Sequence, residues 1–377
     1  MPPTTPQRSP ERRSRFLRLV GWLGAGIALC TSALVCLVIA SWLVGDGSLW
    51  WQRLSWIPAV ALLPPLLVGL LSCLVTPGRF GLVLRWTAGL QLLFTASWVA
   101  GVDYGVLRAR AARPGDWALV HWNATSNWGR SRAGGVLEDM LELGPELIVV
   151  TNPGQRRWSE QDLRDRTGWD HVARNFAVLV VSRHPIRRCQ VVLAAGGAKV
   201  ARVVIDRPLG EFDLWAVDFP SDPGKLRSSV FGRFASRAGG LDLPEPDLVV
   251  GDFNVPRNSV ALKRCFPDMR NAFDLVGVGW HGTWPAGLPL WQLDQVLLGP
   301  DCEGVRYEVF PTPVGTHRLQ KAVVRPRSIP RRARRGRSSR TLVSVVSFRP
   351  RCRSRPRPRR RPGSRPDRRS RTAGSWG

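Results

Sequence analysis

Lysine is almost missing from this chain of 377 residues, although Lys and Arg together number 55. Acids are scarce as well, 28 in all, and from Arg325 onward about 20 Arg stand against a single acid, Asp367. That tail supplies roughly two thirds of the formal charge of +27, so the rest of the chain is only mildly basic. An abundance of Arg, Ala, Gly, Pro and Trp reflects a GC-rich coding sequence as much as a function. The charge alone therefore does not mark a nucleic-acid-binding protein. The seven Cys show no CxxC pairing and no His spacing of a zinc site, which excludes a structural zinc module. Cys30, Cys36 and Cys73 lie in apolar runs and Cys352 in the tail. Cys189, Cys265 and Cys302 are left as small buried thiols or as the source of one disulfide. Internal repeats are also absent, which argues against a repeat architecture.

No A-x-A-like site follows the first apolar run, which excludes a cleaved secretory signal. A membrane segment is expected instead. Residues 1–19 form a basic start with Arg8, Arg12, Arg13, Arg15 and Arg18. An uncharged run then extends from Val20 to Val44, long enough for a bilayer core of ~30 Å. A second run, Trp56 to Val75, contains Pro64-Pro65, and a third, weaker run from about Phe80 to Val102 carries Arg85 near its start. Residues 20–104 are thus predicted to form three transmembrane helices, at about 20–44, 56–75 and 80–102. Trp42, Trp50, Trp51 and Trp56 cluster between the first two, as interfacial aromatics do. About seven Arg in the N-terminal segment and the Pro77–Arg85 turn favour a cytoplasmic N-terminus. Three spans would then place everything after Tyr104 outside the cytoplasm.

From about Trp117 the pattern changes to short, β-branched-rich apolar runs punctuated by Gly, Pro and Asp, which read as strands. Gly134–Leu143 and Lys225–Gly239 carry helical periodicity. Many strands with a few helices between them predict an α/β domain over residues 115–325, with its site on loops at strand ends. Residues 326–377 are Arg/Pro-rich and cannot bury a core. They read as a disordered tail, as an out-of-frame product of a GC-rich gene, or as a basic arm for polyanions such as anionic lipid or nucleic acid.

Within the domain, DLVVGDFNVPRNS (Asp247 to Ser259) ends an apolar strand by presenting Asp252 and Asn254. Residues i and i+2 look in one direction from an extended chain, so the two form a polar pair on a rigid support. A strand entering a turn can look the same. The order of the surrounding motifs decides between these readings. LVHWNATS ends at Asn123, and GPELIVVTNPG, NFAVLVVSRHPI and FDLWAVDFPSDP come before GDFN. PLWQLDQVLLG and VGTHRLQKAVV follow it. Over about Trp117 to Val324 this series resembles the endonuclease/exonuclease/phosphatase superfamily, the deoxyribonuclease-I-like fold.

The resemblance implies a two-sheet α/β sandwich and hydrolysis of phosphate esters assisted by Mg²⁺ or Mn²⁺. A phosphodiester repels hydroxide, so its hydrolysis needs positive charge at the developing oxyanion and a deprotonated water. By resemblance, Asp252 orients or activates the water and Asn254 contacts the phosphate. His317, held by Asp294, stabilises a phosphoryl oxygen, and Asn123 is a further contact on the ligand side. Three departures stand out. The Glu that is the family's main metal ligand is replaced by Asn152, and the Asp before the late His by Thr316. The His of another strand is replaced by Asp218, at or near the same place. A neutral amide is a weak Mg²⁺ ligand, so the expected metal residues are Asn123, Asn152 and Asp218, with Asp218 rebuilding the site. Arg183 and His184 read as a solvated loop. Two functions follow from the same residues: a membrane-anchored phosphoesterase acting on nucleic acid or a phospholipid headgroup, or a pseudoenzyme that keeps the sandwich as a binding or scaffolding domain.

Overall fold

The computed structural model describes residues 10–105, 109–125, 134–154, 159–241 and 243–326. Arg8 and the Arg/Pro-rich tail from residue 327 onward lie outside the described residues. The chain opens with helix α1, Pro10–Val44. Its stretch Arg15–Val44 is the one helix among the described residues that is long and apolar enough to cross a membrane.

The second apolar run breaks where its prolines stand. Helix α2 (Leu49–Ser55) is followed by Pro58, a tight turn Ala59–Leu62 and helix α3 (Leu63–Ser72). α2 and the stretch Ala59–Val75 are bent by 83° from one another. α3 itself rises only about 15 Å, half of a bilayer core of ~30 Å. Helix α4 (Gly78–Trp98) is 21 residues long, but Arg79, Arg85, Thr87, Gln91 and Thr95 dilute its apolar character. The expectation of three spans is therefore corrected to one, or two if the bent pair crosses as a unit. α1 and α3 approach closely through small residues, since a Cβ on Gly24 would lie 2.4 Å from the Ser72 carbonyl oxygen.

After β1 (Tyr104–Gly105) the chain runs through β2 (Trp117–Asn123), α5 (Gly134–Glu142), β3 (Leu147–Thr151), α6 (Glu160–Thr167), β4 (His171–Arg174) and β5 (Val178–Ser182). It continues through β6 (Ile186–Ala195), β7 (Ala198–Arg207), β8 (Gly210–Asp218), α7 (Arg227–Gly239), β9 (Leu248–Asp252) and α8 (Val260–Cys265). The last elements are β10 (Arg270–Asn271), α9 (Ala272–Val276), β11 (Gly279–Trp280), β12 (Asp294–Leu298), β13 (Cys302–Phe310) and β14 (Leu319–Pro326). Two six-stranded sheets result, in the orders β10-β12-β9-β8-β7-β6 and β13-β14-β2-β3-β5-β4.

Alternation along the strands makes these sheets a sandwich. Leu248 and Val250 of β9, Leu214 and Ala216 of β8 and Ala201 and Val203 of β7 meet Leu119, Leu147, Val149 and Val324 between the sheets. The intervening Val249, Trp215 and Val217 face outward under α7 and α8, against Phe231, Phe234 and Leu262. On the opposite side, Val120, Trp122, Ile148 and Val150 lie under α5 and α6. The result is a helix–sheet–sheet–helix stack. Cys189, Cys265 and Cys302 are free thiols in it.

The helical N-terminal segment is fastened to this domain. Asp46 accepts from the Ser259 hydroxyl and from the Ala261 backbone N–H (3.0 Å), so it caps the start of α8. The Gln52 Oε1 accepts the Arg227 backbone N–H at 2.7 Å and does the same for α7. The Trp291 indole donates to the Trp56 carbonyl at 2.6 Å, and β1 pairs with β11. Arg257 reaches Asp103 at 2.9 Å and the Val102 carbonyl at 2.8 Å.

Candidate active site

Strand register sets up the site. β7, β8, β9 and β12 are neighbours, and the pairs Lys199–Asp218, Asp218–Asp252 and Asp252–Asp294 stand directly opposite one another. Lys199, Asp218, Asp252 and Asp294 therefore form one row across the sheet. Each continues the inward-facing alternation of its strand, so the row looks into the sandwich at the end where the apolar core stops. Asn123 ends β2 on the facing sheet, Asn152 follows β3, and His317 precedes β14.

Gly251 is what lets the acid of β9 take its place. Its φ is +145° and a Cβ there would lie 1.9 Å from the Val217 carbonyl oxygen. Gly251→Ala is expected to destabilise the protein by about 1–3 kcal/mol, read as a lower thermal midpoint. An unchanged midpoint would contradict this account of the close approach of β8 and β9.

Asp252 accepts from the Asn254 backbone N–H (2.8 Å) and from the Asn123 Nδ2 (2.9 Å). The Asn254 side chain donates to the Phe219 carbonyl at 2.7 Å and so ties the exits of two strands together, with its own backbone at φ +51°. The His317 Nδ1 lies 2.7 Å from Asp294 Oδ2, and its Nε2 lies 4.0 Å from Asp252. The three side chains are almost wholly buried. Burial opposes the charge on His317, but the Asp294 carboxylate, its hydrogen bond, and Asp252 and Asp218 outweigh this and raise the imidazole to about 9. Burial likewise opposes ionisation of Asp294, yet His317, His121 and Thr283 hold it below the usual carboxylate range. Asp252 is raised by burial and then by the charge of Asp294. Two adjacent carboxylates are thus driven apart, one anchoring a proton on His317 and the other suited to receive one.

Asn152 and Asp218 also converge, but on a residue that the motif series does not single out, and Asn123 joins them through Asn152. The Lys199 ammonium donates to Asn152 Oδ1 at 2.8 Å and to Asp218 Oδ2 at 3.0 Å. Asn123 Oδ1 already accepts from Thr125 N and from Asn152 Nδ2. Asp218 thus pairs with a lysine. Among the described residues, Asp252, Asp294 and His317 offer ligand atoms within 4.8 Å of one another and could hold a metal ion. His317 would then ligate through Nε2 and keep its Nδ1 bond to Asp294, giving up only the second imidazolium proton. The family's charged ligand is an amide here, Asn152, which weakens the fit to a divalent metal on that side, whereas Asp294 Oδ1 is buried without a hydrogen-bond partner.

Beneath the row, His121 is fully buried, with Nε2 3.1 Å from the Thr151 hydroxyl and Nδ1 2.7 Å from Gln320 Nε2. Burial lowers it to about 4, so it is neutral and forms a polar floor under the charged groups. Its i, i+2 relation to Asn123 is a signal for it in the sequence. Thr283 supports Asp294 from the other side by accepting its backbone N–H at 3.1 Å. His184 pairs with Glu146 and Arg183 stacks on Trp169, away from these groups.

Residues 120–331 match the model of the endonuclease/exonuclease/phosphatase family. The chain belongs to that family. Its members are generally phosphoester hydrolases that use divalent metals. No curated protein matches the sequence. Solved structures similar to it include an endonuclease/exonuclease/phosphatase from Beutenbergia cavernae, 14% identical, with a TM-score of 0.43 over 56% of this chain and 72% of that one. A humanized D. rerio TDP2 is 12% identical, with a TM-score of 0.45 over 56% of this chain and 99% of that one. D. rerio TDP2 complexed with a single-strand DNA product is 13% identical, with a TM-score of 0.44 over 55% of this chain and 98% of that one.

Proposed function

We propose that the family domain is a phosphoester hydrolase in which Asp252 receives the proton of the attacking water and His317, kept protonated by Asp294, stabilises the charge developing on a phosphoryl oxygen. The observation that carries this reading is the hydrogen bond from His317 to Asp294 beside a second, separately buried carboxylate. It gives acid and base in one site, on rigid strand ends, as water attack on an anionic ester requires. Asn254 N–H and Asn123 position Asp252. Helix α1 anchors the enzyme in a membrane, and its Arg-flanked start puts the N-terminus in the cytoplasm, so a single span carries the domain to the other side. The substrate is a phosphoester on a nucleic acid or on a phospholipid headgroup. The pseudoenzyme reading has two observations in its favour, Asn152 and Thr316 where the family has carboxylates.

The full chain in detergent is expected to hydrolyse a p-nitrophenyl phosphodiester with a bell-shaped pH dependence. The acid limb is the ionisation of Asp252. The basic limb, near the value of about 9 given by the Asp294–His317 pair, is loss of the imidazolium. Because the groups interact, both limbs are properties of the set. Plasmid DNA and phospholipid vesicles, tried alongside, separate the two substrate sources. A folded protein that turns over none of them between pH 5 and 10 would leave the binding-domain reading in place.

A further inference from the structure

We infer that the Lys199 ammonium is the fixed cation that holds a substrate phosphate in this site, in the role a divalent metal ion would otherwise fill. The inference rests on the phosphoesterase reading of the site but makes a claim of its own about charge. The first support is register, which places Lys199 at the end of the row through Asp218, Asp252 and Asp294. Position in that row is fixed by backbone pairing, so the side chain enters the site with its strand.

The second support is how its donors are used. An ammonium has three N–H groups and no acceptor. Two are directed at Asn152 Oδ1 and Asp218 Oδ2. One is left for a ligand oxygen. The side chain is 34% exposed, against 4% for Asp252 and 0% for Asp294, so a ligand can reach it without opening the buried pair.

The third support is competition. Asp218 Oδ2 and Asn152 Oδ1 are the oxygens a cation would need, and both already bind one. An ion added there would sit against a like charge, and the buried carboxylate oxygen without a hydrogen-bond partner, Asp294 Oδ1, lies at the other end of the row. Asn152 in place of a carboxylate and Lys199 beside it are then one change rather than two: a negative ligand and its metal are exchanged for a neutral ligand and an ammonium. The chemistry also suits Lys in a chain that otherwise relies on Arg. Its charge is compact and close to that of a point, whereas the guanidinium is a broad fork.

The test uses the full chain in detergent and reads metal and phosphate separately. Manganese EPR is expected to show no stoichiometric ion on the protein, and inorganic phosphate is expected to bind in the presence of chelator. Lys199→Met paired with Asp218→Asn, which keeps the local charge balanced and the fold intact, is expected to weaken phosphate binding at least tenfold. Hydrolysis by the unaltered protein should persist in chelator and fall about 10²–10³-fold in that variant. Asn152→Glu with Lys199→Met is expected to gain one tightly bound Mn²⁺. A stoichiometric Mn²⁺ on the unaltered protein, with phosphate binding abolished by chelator, would overturn the inference. So would phosphate binding that is indifferent to Lys199. If phosphate binds through Lys199 without metal yet no ester is hydrolysed, the inference stands and the hydrolase reading falls.

Discussion

Asp252→Asn is expected to lower kcat for phosphodiester hydrolysis by about 10²–10⁴-fold and to leave the thermal midpoint unchanged or higher. The two effects have opposite signs for one reason. Asp252 is buried beside the anionic Asp294, so its ionised form is costly in the fold, and that cost suits it to the base role proposed for it. Removing the charge relieves the repulsion and destroys the base together. The carboxamide keeps the shape and one acceptor oxygen for the Asn254 N–H, so the strand exit holds, while the bond from Asn123 Nδ2 is given up against the relieved repulsion. The KM is expected to change little, because the base acts on the water in the transition state and not on the bound ester. His317→Gln removes the other half and should flatten the basic limb of the pH profile, whereas Asp252→Asn should remove the acid limb. Were Asp252→Asn to lose activity only in proportion to lost folded protein, the residue would be a structural one and the base would have to be sought elsewhere.

How much of this site can be read from sequence depends on how local each interaction is. GDFN declares itself because period 2 and the residue types suffice: Asp252 and Asn254 lie two apart on a strand that ends with them. The sandwich follows from alternation in the same way, since Leu248 and Val250 differ in direction from Val249 whatever they pack against. Asp294 and His317 come together only through the ordered series of motifs, as nothing near either residue specifies the other. Lys199 could not be found so. Its role comes from β7 pairing with β8 in a register that aligns it with Asp218, and register is a property of two strands and a turn, not of one motif. The membrane segment fails differently. Summed apolar character over Trp56–Val75 ignores Pro58, at the break between α2 and Ala59–Val75, where the chain bends sharply. Asp46 and Gln52 have no signature as helix caps, because α8 and α7 lie more than 170 residues further along the chain.

Those long-range contacts set the second large effect. Arg257→Met is expected to destabilise the protein by about 3–5 kcal/mol near pH 8, the cost of leaving Asp103 buried without its partner. Arg257 is itself buried, stacks over Phe273 at 5.1 Å, and also pairs with the more exposed Asp274. Asp103→Asn in the same background should recover part of the loss, so that the pair shows a coupling energy in a double-mutant cycle. The pH dependence identifies the cause. Burial and then the charge of Arg257 hold His281 well below its ordinary value, while its Nε2 lies 3.6 Å from Asp103. Without Arg257 that repulsion vanishes and the nearby carboxylate favours the imidazolium. A proton gained there contributes stability below the ordinary His value and loses it as pH rises through the new one. Burial also raises Asp103, which can take the proton instead. Either way the deficit of Arg257→Met should shrink toward pH 5, measured by denaturation in one detergent at both pH values. A deficit that is the same at pH 5 and pH 8 would mean that lost packing over Phe273, rather than an unpaired carboxylate in the turn Val99–Asp103 after α4, is what joins the helical segment to the α/β domain.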